Sequence, residues 1–190
     1  EPQMILPASA LLNSNILSRG HLVIGRLTNF IVSPDNLKVI GLEVEAPDYK
    51  HALAIRIDDV IEINNLGVVV SDSSNLIKPS MDAKILNVYK LHFSLTKYQV
   101  RDKKKHLLGR LINFTIDTDT NEVYQLIIKR PFIKSFSDPE LTIPTEKIIE
   151  ITDKEIIIDN EKEQKADVIK EKIKDLIPKD TETAFENASD

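Results

Sequence analysis

Few side chains in this sequence have both the type and the spacing to do chemistry, and each has a plainer alternative. Asp117-Thr118-Asp119-Thr120-Asn121 opens like a D-x-D-x-N calcium loop. Such a loop needs glycine at its sixth position and a bidentate glutamate at its twelfth, and this chain has Glu122 and Ile128 there. A polar β-turn is the better reading, because Asp, Thr and Asn satisfy their own backbone in turns. The histidines, His21, His51, His92 and His106, have no spacing that would gather them on a metal, and each reads as solvated. The chain has no cysteine, so disulfides, thiolate ligands and a sulfur nucleophile are excluded. It has no G-x-S-x-G elbow and no glycine-rich phosphate loop. Carboxylates are abundant, but none is set apart from a solvated surface. The expectation is a protein without catalytic residues, metal site or cofactor, and therefore a binding protein rather than an enzyme.

Two cationic stretches stand out. Arg101-Asp102-Lys103-Lys104-Lys105-His106 would form a hairpin tip, where lysine is easily solvated. Lys129-Arg130-Pro131-Phe132-Ile133-Lys134-Ser135-Phe136 carries a heavy apolar load for a surface loop, and such patches tend to meet a partner. The candidate interaction residues are Arg101, Lys103, Lys104 and Lys105 at the tip. In the loop they are Lys129, Arg130, Phe132, Ile133, Lys134 and Phe136.

The elements that hold these residues are written twice. Gly25-Arg26-Leu27-Thr28-Asn29-Phe30 returns as Gly109-Arg110-Leu111-Ile112-Asn113-Phe114, 84 positions later. An internal repeat fixes the architecture, here two tandem copies of one β module. Val23, Gly25 and Leu27 alternate onto one face, and then the inward face slips by one residue before Phe30. The same slip separates Leu111 from Phe114, so a β-bulge is expected at Thr28-Asn29 and at Ile112-Asn113. Ile40, Leu42 and Val44 alternate, as do Tyr124, Leu126 and Ile128. Ile61-Glu62-Ile63 closes the first copy and Ile149-Glu150-Ile151 the second, now 88 positions apart. The extra residues must fall in the loop spanning 130–139, because loops accept insertions and strands do not. Arg26 and Arg110 recur with the motif and are expected to pair with a carboxylate across the strands.

The expected organisation is a first module over 4–77, a linking helix over 78–91, a second module over 92–160, an amphipathic helix over 161–178 and a disordered acidic tail over 179–190. Ser80 is the candidate N-cap of the linking helix, and Met81, Ile85, Val88 and Tyr89 make its apolar stripe. Apolar residues make up 42% of the 190 positions and charged residues 29%, so a packed core is expected. A net charge of −5 argues against direct DNA binding. No apolar run approaches the roughly 20 residues that span a bilayer. A cytoplasmic setting is expected, with Glu1-Pro2-Gln3 as an extension ahead of a natural start at Met4.

A short hairpin, a Gly–basic–hydrophobic–x–Asn–hydrophobic strand, an Asp/Asn turn and three further strands resemble the PRC-barrel domain. Two copies would cover about residues 9–160. The resemblance implies an all-β protein of two tandem small barrels and a non-catalytic adaptor role. The implied partner is a protein, with a ribosomal protein or an RNA-processing particle as candidates. The alternative is a scaffold or regulatory protein of a cell-division or membrane-associated complex, docked through the C-terminal helix.

Removing residues 179–190 should leave the melting temperature unchanged, since a disordered segment carries no core contacts. A fall of several degrees would show that the tail docks.

Overall fold

In the computed structural model the residues described are 4–64, 66–131 and 139–159. The described residues up to Ile158 belong to one compact unit. The first copy contains β2 (Asn15–Ser18), β3 (Val23–Val32), β4 (Val39–Glu45), β5 (Leu53–Arg56), β6 (Val60–Asn64) and β7 (Gly67–Val70). The second contains β8 (Gln99–Asp102), β9 (Leu107–Asp117), β10 (Glu122–Lys129), β11 (Glu140–Pro144), β12 (Ile148–Ile151) and β13 (Glu155–Ile158). Ahead of them run β1 (Ile5–Pro7) and α1 (Ala8–Leu11), and between them α2 (Ala83–Leu91).

Both sheets have one topology. The strand order is β5-β4-β3-β2-β7-β6 in the first and β11-β10-β9-β8-β13-β12 in the second. In each, one parallel pair (β2 with β7, β8 with β13) joins the opening hairpin to the closing one. The protein is therefore all-β, as the two copies of alternating apolar strands required.

The bulges are shared as well. Thr28 has no partner between Leu27 and Asn29, and Ile112 has none between Leu111 and Asn113. Each asparagine Oδ1 accepts the backbone N–H of the phenylalanine that follows, at 2.9 Å in both copies. Matching shifts occur at Ile24 and Leu108, at Ile40 and Tyr124, and at Ile61 and Ile149. These additional bulges correct the simple alternation. Val23 is 60% exposed rather than sharing the face of Leu27, and Tyr124 is 46% exposed. The inward residues are Val39, Leu42 and Val44, matched by Val123, Leu126 and Ile128.

The glycine of the repeated phrase is required by close strand approach. A Cβ on Gly109 would lie 2.1 Å from the Lys129 carbonyl oxygen, and its φ of +154° already disfavours any side chain.

The first strand crosses between the copies. Within the segment expected as the first module, β1 pairs antiparallel with β9, placing Ile5 opposite Asp117 and Pro7 opposite Thr115. The first turn of α1 is then tied to the second bulge, where Asn113 Nδ2 donates to Ser9 Oγ at 2.7 Å.

The linking helix starts later than expected. Asp82, not Ser80, is its N-cap and accepts from the N–H groups of Lys84 and Ile85, while residues 79–81 form a 3₁₀ turn that leaves Met81 63% exposed. Asp caps more effectively here because its carboxylate reaches two orphan donors. Those bonds, from Ile85 first, outweigh burial and with Arg56 hold Asp82 below the ordinary carboxylate range. Helix α2 is more than a link. Ile85 and Val88 cover Ile31 and Ala54 on the outer face of the first sheet. Gly41 lets the helix approach, since a Cβ there would lie 3.0 Å from Ile85 Cδ1. Arg56 Nε binds Asp82 at 2.9 Å at one end, and the Tyr89 hydroxyl donates to Glu43 at the other. Burial, then the Glu43 carboxylate, pushes the Tyr89 phenol well above its usual range and keeps it protonated.

Asn113→Val should destabilise the protein more than Asn29→Val in thermal melts. Each loses the bond to the following N–H, and Asn113 also loses both Ser9 contacts, at roughly 1 kcal/mol per bond. Equal losses would show that the tie to α1 adds nothing.

Candidate functional site

The two opening hairpins are built alike and finished differently. A buried polar residue starts each turn, Ser18 in the first copy and Asp102 in the second. Ser18 Oγ accepts from Leu22 N at 3.2 Å, and Asp102 Oδ1 accepts from His106 N at 2.8 Å. The left-handed turn position is His21 in one copy and Lys105 in the other, with φ of 59° and 65°. His106 therefore has a structural partner, its Nδ1 lying 2.9 Å from Asp102 Oδ2, although the ring stays largely exposed. Burial pushes the Asp102 carboxyl up. The two His106 bonds and its charge, with a further bond from the Lys104 N–H, outweigh that and hold it below the ordinary value.

Of the tip residues, Lys103, Lys104 and Lys105 are exposed. Arg101 is drawn into the hairpin: Nε donates to Glu155 Oε1 at 2.6 Å and Nη1 to the Lys105 carbonyl at 3.0 Å. Lys129 is exposed at the end of β10, in register with Glu140 on one side and Arg110 on the other. The Arg130 N–H donates to the Pro139 carbonyl at 2.9 Å and closes the base of the inserted loop. Phe132, Ile133, Lys134 and Phe136 lie outside the described residues, as do 161–178 and 179–190.

The repeated arginines need a correction. Arg26 lies in register with Glu45, but Arg110 lies in register with Lys129. Neither arginine makes an ion pair among the described residues, and both are exposed, where water solvates them well. The motif recurs because Gly109 and Gly25 need close strand packing and because the bulge needs asparagine.

Asp117 also acts locally. Its buried carboxylate accepts from the N–H groups of Asp119 at 2.9 Å and Thr120 at 3.3 Å, as a turn residue does.

Sequence reasoning missed a groove of about 740 Å³ between the residues that follow α2 and the β12–β13 turn, with Pro34 of the first copy at its edge. Its floor is the Phe93–Tyr98 ring pair, with centroids 5.4 Å apart. Burial first, then the Asp153 charge, raises the Tyr98 phenol. One wall is held by Thr152, whose Oγ1 accepts from Lys154 N at 3.2 Å and Glu155 N at 3.0 Å. The other carries Leu91, 57% exposed, and His92, left-handed at φ 50°. A signal existed: aligned 84 positions apart, Tyr98 replaces Ser14, a large ring where the other copy has a small polar residue.

Because its value is depressed, Asp102 contributes stability above the ordinary carboxylate pKa of about 4, and loses it as pH falls through the folded-state value. Asp102→Asn should therefore melt well below wild type at pH 7, with the gap closing in acid. A gap independent of pH would contradict this assignment.

No family model matches the chain, and no curated protein matches it. Solved structures that resemble it include one described as the 16S ribosomal RNA processing protein RimM from Pseudomonas aeruginosa. Identity is 16%, over 75% of this chain and 98% of that one, with a TM-score of 0.30. At that TM-score the likeness carries no weight for function. No helix among the described residues is long and apolar enough to cross a membrane.

Proposed function

We propose that the chain is a non-catalytic adaptor of PRC-barrel type that holds a protein partner on its second copy. The observation that carries this reading is the divergence of two otherwise matching modules. They share topology and bulges, so folding accounts for the common parts. They differ at the hairpin tip, where Arg19-Gly20-His21 faces Lys103-Lys104-Lys105, and on β10, where Glu45 becomes Lys129. They differ again at the β10–β11 connection, longer by four residues and containing Phe132, Ile133 and Phe136. Aromatic anchors beside lysine and arginine are the composition that concentrates binding energy at protein interfaces. The resemblance of the repeated phrase to PRC-barrel sequences extends the proposal to a ribosomal protein or an RNA-processing particle as partner.

Phe132→Ser combined with Phe136→Ser should abolish recovery of ribosomal particles in a pull-down, with circular dichroism unchanged. Normal recovery by the folded variant would end the proposal for this loop. Loss of the fold would assign the rings to the barrel.

A further inference from the structure

The groove behind α2 has walls fixed by hydrogen bonding, an aromatic floor and an apolar lip. We infer that it is a second docking site, one that takes an acidic extended peptide segment carrying a leucine or phenylalanine anchor. Its volume of about 740 Å³ is large enough for several side chains and falls in the range of functional pockets. The Phe93 and Tyr98 rings offer an apolar surface, with Leu91 standing 57% exposed above it. An exposed leucine beside a ring-floored groove is where an apolar anchor from another chain would bury the most surface. The rim selects the charge. Lys97 and Lys154 are exposed and make no ion pair among the described residues. Of the two carboxylates that line the groove, Glu155 is bound by Arg101 at 2.6 Å, which leaves Asp153 as the rim acid. Two lysines against one remaining carboxylate, on a chain of net charge −5, favour an acidic partner and disfavour further copies of the chain. The Tyr98 phenol, kept protonated, is a donor suited to a carboxylate or a peptide carbonyl.

No residue of 129–139 is among those that line the groove, and the proposal shares only the adaptor reading with the one made for the inserted loop. The two are told apart by using variants confined to the groove. A phage-displayed library of random 12-residue peptides would be selected against the full chain, and an enriched peptide synthesised with a fluorescent label. The enriched sequences should place Asp or Glu around Leu or Phe. By fluorescence anisotropy, Lys97→Glu combined with Lys154→Glu should weaken binding at least ~10-fold at 0.15 M salt, and Leu91→Ser should weaken it too. All three positions are exposed, so melting temperatures should match wild type. An empty selection would overturn the proposal. So would enrichment of basic or uncharged peptides, or equal binding to wild type and both variants.

Discussion

Two phenylalanines at equivalent positions of the repeat, Phe30 and Phe114, meet edge to face with centroids 6.1 Å apart, and the rest of the molecule depends on that meeting. Around them other equivalent positions pair with one another. Val39 N donates to the Asn121 carbonyl at 2.8 Å, and Val123 N to the Leu37 carbonyl at 2.9 Å. Lys38 bridges to Glu122, 84 positions on, at 3.0 Å. Equivalent residues contacting each other in this reciprocal way define a pseudo-two-fold axis, the geometry of an isologous dimer within one chain. The bulges make it available: a one-residue slip at Thr28 and at Ile112 sets the facing of each phenylalanine. The result is one apolar core, from Leu11 and Ile16 through Phe30 and Phe114 to Ile156 and Ile158.

The axis does not extend to the outer faces, and that is where the copies differ. On the first sheet, Gly41, Glu43 and Ala54 receive α2; their counterparts on the second are Gln125, Ile127 and Thr142. On the second sheet, β1 and α1 attach instead, through Asp117, Thr115 and Asn113. Each module is thus covered by a different neighbouring segment, which leaves different charges and hollows outside. The lysine-rich tip and the aromatic-floored groove both lie on the copy that α2 leaves uncovered or only borders.

Much of the architecture could be read from residue pattern. The repeated phrase gave the two modules, and the slip before Phe30 located the first bulge, because side-chain facing in a strand has a period of two and any shift is visible. The insertion could be placed from the change in spacing. Other features were hidden for physical reasons. Val23 and Tyr124 sit at or beside further bulges, where an apolar type no longer reports an inward position. Ser80 and Asp82 are both good caps, and only the path of the chain after Pro79 decides between them. The crossing of β1 to β9 is a long-range pairing with no local signature. The groove is made by residues far apart in sequence, Pro34, Leu91, Tyr98 and Thr152, so no window of the sequence contains it.

The central claim is that the seam between Phe30 and Phe114 makes two modules into one cooperative unit. Native-state hydrogen exchange on wild type and Phe30→Ala tests it directly, reading Leu42 in the first copy and Leu126 in the second. The account predicts equal opening free energies for both in wild type, and an equal fall of roughly 3–5 kcal/mol for both in the variant, as for loss of a buried phenylalanine. Destabilisation confined to Leu42, with Leu126 unchanged, would contradict it and show two modules that fold independently.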